Sequence, residues 1–362
     1  MPGFEGLKWA SYQMRYILEE RHFDLLETEA KVHSVSRSIH YGLFLAFEGI
    51  RFYCKQNDEG KLEAIFLNWD KNLERFRRAI AFNLGKDQQY LVPTVEELVE
   101  VFIGKYLSAE SMRDFIKEMT ALDTQGYLRP FTIDEDLSIG VNLPNRPSIR
   151  AVINRYDCYM GEPFSGVVMP HMVRAVGINQ TGCLKLGVNY LISVKAVDEA
   201  RKIDPEAASV LFLDDRTHLP LKERFITEWD ASCSLFAFKD GSVVKIPESN
   251  LIVPSVTIQG IVAILKQWDV NVLEKELTYG ELIDNVKSDD LVTVCSIGTA
   301  GILNRCQKLL LLDNRGNVTA THTAKEDHPI FHKLGEARGY YWDIYKEKVA
   351  LPPGMKLDKY IL

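Results

Sequence analysis

Short apolar runs of strand length alternate with amphipathic runs of helical spacing along the whole chain. The alternation breaks once, at "MGEPFSGVVMPHMV" (160–173). Before the break, "GIRFYCK" and "KLEAIFLNW" read as strands around the turn "QNDEG". "DKNLERFRRAIAFNL", "TVEELVEVFIGKYL" and "SAESMRDFIKEMTAL" repeat apolar residues at the helical period, and Thr94 with Glu97 has the form of a capping box. A strand-rich stretch from "YLRPFTIDEDLSIGVNL" to "IRAVINRY" closes this half. Gly161, Pro163 and Pro170 punctuate the break, which predicts an interdomain linker at 164–172. It would join a small N-terminal domain, 1–163, to a larger one, 173–362; a chain of 362 residues is long enough for two cores.

After the break the strand candidates are "SVLFLDD", "SLFAFKDGSVVKI", "VNVLEKEL", "LVTVCSI" and "QKLLLLD". "LISVKAVDEARK", "TIQGIVAILKQW", "YGELIDNVKS" and "HPIFHKLGEARGYYWDIYKEK" are the helix candidates. The predicted class is a two-domain α/β or α+β protein. A net charge of −7 gives no electrostatic footprint for nucleic acid or for an anionic membrane surface. No run approaches the length of a membrane span, and the N-terminal residues lack an apolar core with a cleavage site. Six scattered cysteines without a C-x-x-C pair argue against a metal ribbon or a disulfide framework. A cytoplasmic protein without a bound metal is expected.

"GCLKLGVNYL" (182–191) puts Lys185 among small and apolar residues. A lysine there either lays its stem along apolar surface with a solvated head, or holds its amine in a dry pocket as a nucleophile. The stretch alone leaves both open. "KLGVNY" resembles the K-x-x-G-N-Y segment of branched-chain aminotransferases, which belong to fold type IV of the pyridoxal-phosphate enzymes, with Val188 in place of a glycine. Further segments follow in that family's order: "SRSIHYG", "FEGIR", "NLERFRRA", "YLRP", "SIGVN", then "ITEWDASCSLFAFKDG", "IVPSVTIQGI" and "SIGTAG".

The resemblance implies the two-domain D-amino acid aminotransferase-like fold, pyridoxal 5'-phosphate as cofactor, and a homodimer. Pyridoxal phosphate needs an amine, a cradle for a dianionic phosphate and a counter-charge beside its ring nitrogen. By resemblance Lys185 joins the cofactor and moves the substrate proton. Arg75, the amides of Val256 and Thr257 where a helix begins, and the Thr299 hydroxyl would hold the phosphate. Tyr190 would meet the ring oxygen, and Glu228 the ring nitrogen. Tyr127 and Arg129 would line the substrate pocket, the arginine admitting the distal carboxylate of glutamate, while Tyr41 and Phe47 would form aromatic wall and Ala300 would meet the substrate carboxylate.

Several stretches depart from the family's pattern. "TEWDASCSLF" carries one residue more than usual between Glu228 and Phe236, and Ser234 stands where asparagine is expected. A bulge or loop turn would absorb the extra residue, with Asp230 the alternative to Glu228. Ile258 replaces an arginine, and "DDRTHLPLKERF" is a longer insertion that reads as a solvated loop. The function expected is an aminotransferase for an aliphatic L-amino acid with 2-oxoglutarate as partner. The competing readings are diverted chemistry on the same cofactor, such as a lyase, and a binding protein without activity.

Overall fold

A computed structural model describes residues 7–156, 163–177 and 181–362. The N-terminal hexapeptide, Cys158 and Gly161 of the expected break lie outside these residues. The chain divides into two compact units. One takes in the described residues of Gly3–Tyr159 together with Leu184–Val188 and Lys356–Leu362; the other takes in those of Met160–Cys183 and Asn189–Met355. The Lys185 segment therefore belongs with the first unit, not with the residues that flank it in sequence.

The first unit is built on an antiparallel sheet. Its strands lie in the order Leu357–Ile361, Leu62–Leu67, Ile50–Gln56, Gln125–Asp134, Pro147–Tyr156, Tyr12–Ile17, His22–Glu27. The hairpin expected around "QNDEG" is present, with Cys54 opposite Ala64. The hairpin of Tyr12–Ile17 and His22–Glu27 escapes the sequence pattern because burial along its first strand does not alternate. Helices Trp69–Asn83 and Arg113–Ala121, with the helical run Val95–Leu107, bury Phe76, Phe102, Tyr106 and Met119 in a core shared with Phe52, Phe66 and Trp69. Phe66 stacks on Trp69 with ring centres 4.3 Å apart. Thr94 caps its helix by accepting the Glu97 N–H at 3.1 Å. The Glu97 carboxylate instead accepts from the Tyr16 hydroxyl and from Arg21, so the one return bond of the expected box is not made.

The second unit carries a mixed sheet. Its order is Ile226–Trp229, Ala207–Leu213, Phe164–Val168, Ile302–Leu312, Leu291–Gly298, Cys233–Phe238, Val243–Lys245, Val272–Glu274. The strand Phe164–Val168 corrects the expected linker at 164–172. It pairs in parallel on both sides, with Ile302–Leu312 and with Ala207–Leu213. Every one of its residues is buried, as a short apolar run must be when both its neighbours are strands. "VNVLEKEL" forms only the short edge strand Val272–Glu274, because the charged residues after it stay exposed. The helices Tyr190–Ile203, Val256–Gln267, Tyr279–Lys287 and Pro329–Tyr345 fall where the periodicity puts them.

The insertion between Leu213 and Phe225 is anchored at both ends, with Thr217, His218, Pro220, Lys222 and Glu223 exposed between them as expected of a solvated loop. Asp214 and Arg224 are both buried and paired, Asp214 also accepts the Phe225 N–H at 3.1 Å, and Arg224 donates to the Pro170 carbonyl at 2.6 Å. Among the described residues no helix is long and apolar enough to cross a membrane, and no cluster of His, Cys, Asp or Glu is arranged to hold a metal ion.

Gly166 shows how tightly the central strand is packed. A Cβ there would lie 2.7 Å from the Trp229 ring and 3.3 Å from the Cys306 sulfur. Trp229 is fully buried and its indole N–H is bonded to the Cys295 carbonyl at 3.0 Å, so it has little freedom to yield. Gly166→Ala is expected to cost about 1–3 kcal/mol by overpacking. The check is urea unfolding, read as a lower midpoint at unchanged slope.

Candidate functional site

Lys185 owes its position to its two neighbours. Leu186 is buried in the first unit's core and Leu184 packs against it, and a tight turn in which Leu186 N–H donates to the Leu184 carbonyl at 3.0 Å holds the lysine between them at its apex. That segment pairs with Leu45–Phe47: Phe47 N–H donates to the Lys185 carbonyl and Gly187 N–H to the Leu45 carbonyl, each at 3.0 Å. On its other edge the same run pairs with the strand Gln125–Asp134, through Glu48 N–H to Pro130 and Thr132 N–H to Ala46, each at 2.9 Å. Residues 45–48 are thus the middle of three extended segments, and they carry Phe47 and Glu48 between Lys185 and Arg129.

The side chains follow from that pairing. Lys185 is half-buried, with Nζ 5.0 Å from the centre of the Phe47 ring. Arg129 stands 4.9 Å from the same ring and donates to the Tyr127 hydroxyl at 3.0 Å. One aromatic face is therefore shared by two cations. Gly49 makes room for the phenol, since a Cβ there would fall 1.9 Å from the Tyr127 hydroxyl.

Arg75 lies on the buried face of the helix Trp69–Asn83 and not on its surface, where Arg78 is exposed. It grips Glu48 with both edges of a fork, Nε to Oε2 at 2.7 Å and Nη2 to Oε1 at 2.6 Å. Oε1 also accepts the Gly49 N–H at 2.7 Å. Burial pushes the Glu48 carboxyl up, but the charge and hydrogen bonds of Arg75, the Lys185 charge and the Gly49 amide outweigh it and hold it below the usual carboxylate range.

The second unit holds the remaining residues. Tyr190 opens the helix Tyr190–Ile203 and is half-buried. Asn189 before it is buried and exchanges two bonds with Thr181, each at 2.7 Å. Glu228 sits on Ile226–Trp229, where the register against Ala207–Leu213 shifts between Ile226 and Trp229. That shift is a bulge at Thr227–Glu228, at the start of the stretch Glu228–Phe236 that carries the extra residue and not within it. The Glu228 carboxylate is buried, pairs with Arg174, and accepts the Val253 N–H at 3.3 Å. Ser234 ties its strand to this one by donating to the Thr227 carbonyl at 3.0 Å. Asp230 is buried as well, but its carboxylate takes the Ser209 hydroxyl and the Val210 N–H. Burial, opposed by those bonds, leaves its carboxyl raised.

The helix Val256–Gln267 begins at an N-cap, Ser255, whose hydroxyl accepts the Ile258 N–H at 3.3 Å. The first-turn amides of Val256 and Thr257 have no carbonyl one turn before them, and twelve residues of aligned peptides lie behind them. Ile258 is buried, so the side chain that replaces the expected arginine is absorbed by the core. Thr299 and Ala300 are half-buried in the turn that follows Leu291–Gly298. Tyr41 stands half-exposed at the end of the short helix Arg37–Tyr41, in an apolar surface patch described below.

Two residues escaped the sequence reading. Glu48 is the acid inside the apolar run "FEGIR", and a carboxylate in such a strand needs a buried cation. Arg174, after the break, is 7% exposed and is the partner of Glu228.

No family model matches the chain. It is 24% identical over 298 residues to branched-chain-amino-acid aminotransferase 2 of Bacillus subtilis, covering 79% of this chain and 73% of that protein. Its fold superposes on the Escherichia coli branched-chain amino acid aminotransferase with a TM-score of 0.67 at 21% identity, covering 96% of this chain and 99% of the other. The enzyme of Thermobaculum terrenum in its pyridoxal-phosphate form also gives 0.67, at 15% identity, over 94% and 95% of the two chains. The fold is that of the type IV enzymes. By sequence and fold together the chain is similar to the branched-chain aminotransferases as a divergent relative.

Glu48 is the test of the buried charges. Glu48→Gln leaves Arg75 without its counter-charge, and breaking a buried pair costs about 3–5 kcal/mol. Because the folded carboxyl lies below its unfolded value, its contribution is present above the unfolded value and lost as pH falls through the folded one. Urea midpoints measured from neutral to acid pH should therefore fall less steeply in Glu48→Gln than in the parent protein.

Proposed function

We propose that this protein is a pyridoxal-phosphate-dependent aminotransferase that moves an amino group between an aliphatic L-amino acid and 2-oxoglutarate. The observation that carries this reading is the Lys185 amine, fixed by two core-packed leucines and directed to the face that holds Phe47, Arg129 and the Arg75–Glu48 pair. The donor set fits the cofactor: one amine, one guanidinium, one helix start, one hydroxyl at Thr299, one phenol at Tyr190 and a buried carboxylate at Glu228. Bound pyridoxal phosphate supplies a carbonyl that exchanges amino groups and an electron-poor ring that accepts the pair left when a substrate proton departs.

The residues divide the work. Arg75, the amides of Val256 and Thr257, and Thr299 hold the phosphate dianion. Lys185 would hold the cofactor through its amine, and the same amine would move the proton at the substrate's Cα. Glu228 meets the ring nitrogen; Asp230 is already engaged by Ser209 and Val210. Arg129, beside Tyr127, pairs with the distal carboxylate of glutamate, and Phe47 gives aliphatic side chains an apolar wall. Ala300 receives the substrate's α-carboxylate at its amide.

The same reading makes the protein a cytoplasmic homodimer with small-molecule partners and no nucleic acid or membrane partner. In support, the first unit exposes Val35, Ile39, Tyr41, Leu137, Ile139, Val141 and Leu143. Buried Arg37 ties the two segments together, through Asp134 at 2.9 Å and the Leu143 carbonyl at 2.7 Å. A fixed apolar patch of this kind suits a second copy of the chain.

Borohydride treatment of the cofactor-loaded protein should attach the label to Lys185, and peptide mapping that finds it on another lysine would overturn the reading. L-glutamate should shift the visible absorption of the bound cofactor to the pyridoxamine form, and a 2-oxo acid should restore it. Arg129→Ala should raise the concentration of glutamate needed about ten- to a hundred-fold, the worth of a hydrogen bond to a charged group, while leucine is affected little. Consumption of a substrate without that absorption change would assign diverted chemistry on the same cofactor.

A further inference from the structure

Arg174 lies where three stretches of the second unit meet. Its Nη2 pairs with Glu228 and donates to the Leu251 carbonyl at 2.7 Å and to the Gly182 carbonyl at 3.1 Å. Gly182 is three residues before Lys185, and Leu251 is five residues before Val256. The junction has no slack: a Cβ on Gly182 would fall 2.4 Å from the Asn250 carbonyl oxygen, 2.9 Å from the Ala175 Cβ and 3.0 Å from the Leu251 Cα. Around Glu228 the same junction continues. Val253 N–H donates to its Oε1 at 3.3 Å, while the Cys233 thiol lies 3.9 Å from Oε2 and 3.5 Å from the Val253 carbonyl. The segment that carries Arg174 is pinned further along, where Gly177 N–H donates to Asp215 of the insertion at 2.8 Å.

We propose that Arg174 is a positioning residue: one guanidinium fixes the ring-side carboxylate Glu228 together with the chain leading to Lys185 and the chain leading to the helix Val256–Gln267. This inference rests on the aminotransferase reading. Neutral glutamine could replace the bonds to the two carbonyls only in part and would leave the buried Glu228 carboxylate without its counter-charge. Lysine would keep the charge and has three donors on one nitrogen, but its flexible stem does not hold that nitrogen where the rigid guanidinium holds Nη2. The role is therefore both electrostatic and geometric. It acts through Glu228 and through the backbone at Gly182 and Leu251, without contact of its own to the reacting atoms.

The test compares Arg174→Gln and Arg174→Lys with Arg224→Gln, which breaks the other buried arginine–carboxylate pair of this unit, at Asp214. Three quantities are read: pyridoxal-phosphate dissociation, the pH at which the visible band of the bound cofactor changes form, and amide exchange of the cofactor-free protein. Arg174→Gln should weaken cofactor binding ten-fold or more, displace the spectral transition by at least one pH unit, and speed exchange at 181–184 and 250–253. Arg174→Lys should recover part of the spectral shift and less of the exchange protection. Arg224→Gln should lower the melting temperature without moving the spectral transition. If Arg174→Gln only lowers the melting temperature, as Arg224→Gln does, the proposal falls while the aminotransferase reading stands. If Arg174→Gln does not fold, the lysine variant decides: wild-type binding, spectrum and exchange in Arg174→Lys would overturn the proposal. Failure of the parent protein itself to take up the cofactor at Lys185 would overturn both.

Discussion

The first unit's share of the site depends on one buried anion. Glu48 carries a full negative charge in a place without water, and such a charge persists only if cations and hydrogen bonds surround it. Arg75 supplies the fork, Gly49 the amide and Lys185 a second positive field. The pairing of 45–48 with 130–132 on one edge and with 185–187 on the other brings these groups together from four separate stretches of sequence. If the anion is removed, Arg75 loses its counter-charge while Lys185 and Arg129 still share the Phe47 ring. The carboxylate thus sets the local charge balance that makes a cation-rich surface compatible with a packed core.

Two core-packed leucines on either side of a tight turn explain why a lysine can sit there at all. Leu184 and Leu186 bind the segment to the first unit's core, although its neighbours on both sides in sequence belong to the second unit. A one-residue slip would send Lys185 into the core and a leucine to the functional face. Gly187 N–H on Leu45 and Phe47 N–H on Lys185 fix the register against that slip. The sequence motif and the fold therefore make the same demand on "LKL".

Much of this was legible in the residues. The helices beginning at Trp69, Tyr190, Val256, Tyr279 and Pro329 announced themselves by period, and Ser255 and Thr278 cap two of them as their side chains suggest. What escaped shares one cause: dependence on distant partners. Phe164–Val168 looks like a proline-flanked linker until parallel strands cover both its edges. The hairpin Tyr12–Glu27 lacks alternation because neighbouring residues are buried in pairs. Glu48 and Arg174 are single charges whose significance lies in a counterpart 27 residues away for one and at Glu228 for the other. No local period encodes such a pairing.

The departures from the family's pattern become intelligible as compensations within the second unit. An extra residue in "TEWDASCSLF" would shift every side chain after it to the wrong face of the strand unless something absorbed it. The strand is bulged at Thr227–Glu228, and past it Trp229 is again in register opposite Leu211. A bulge weakens strand pairing locally, and Ser234 answers by bonding to the Thr227 carbonyl beside it. Arg174 answers on the other side, holding the carboxylate that the bulge presents. Ile258 fits the same logic, since an apolar side chain packed under the first turn needs no partner where an arginine would. The insertion adds a further tie, because Asp215 reaches the segment that carries Arg174. Glu228 is thus restrained by Arg174 and the Val253 amide, while Ser234 ties the neighbouring strand to Thr227 beside it.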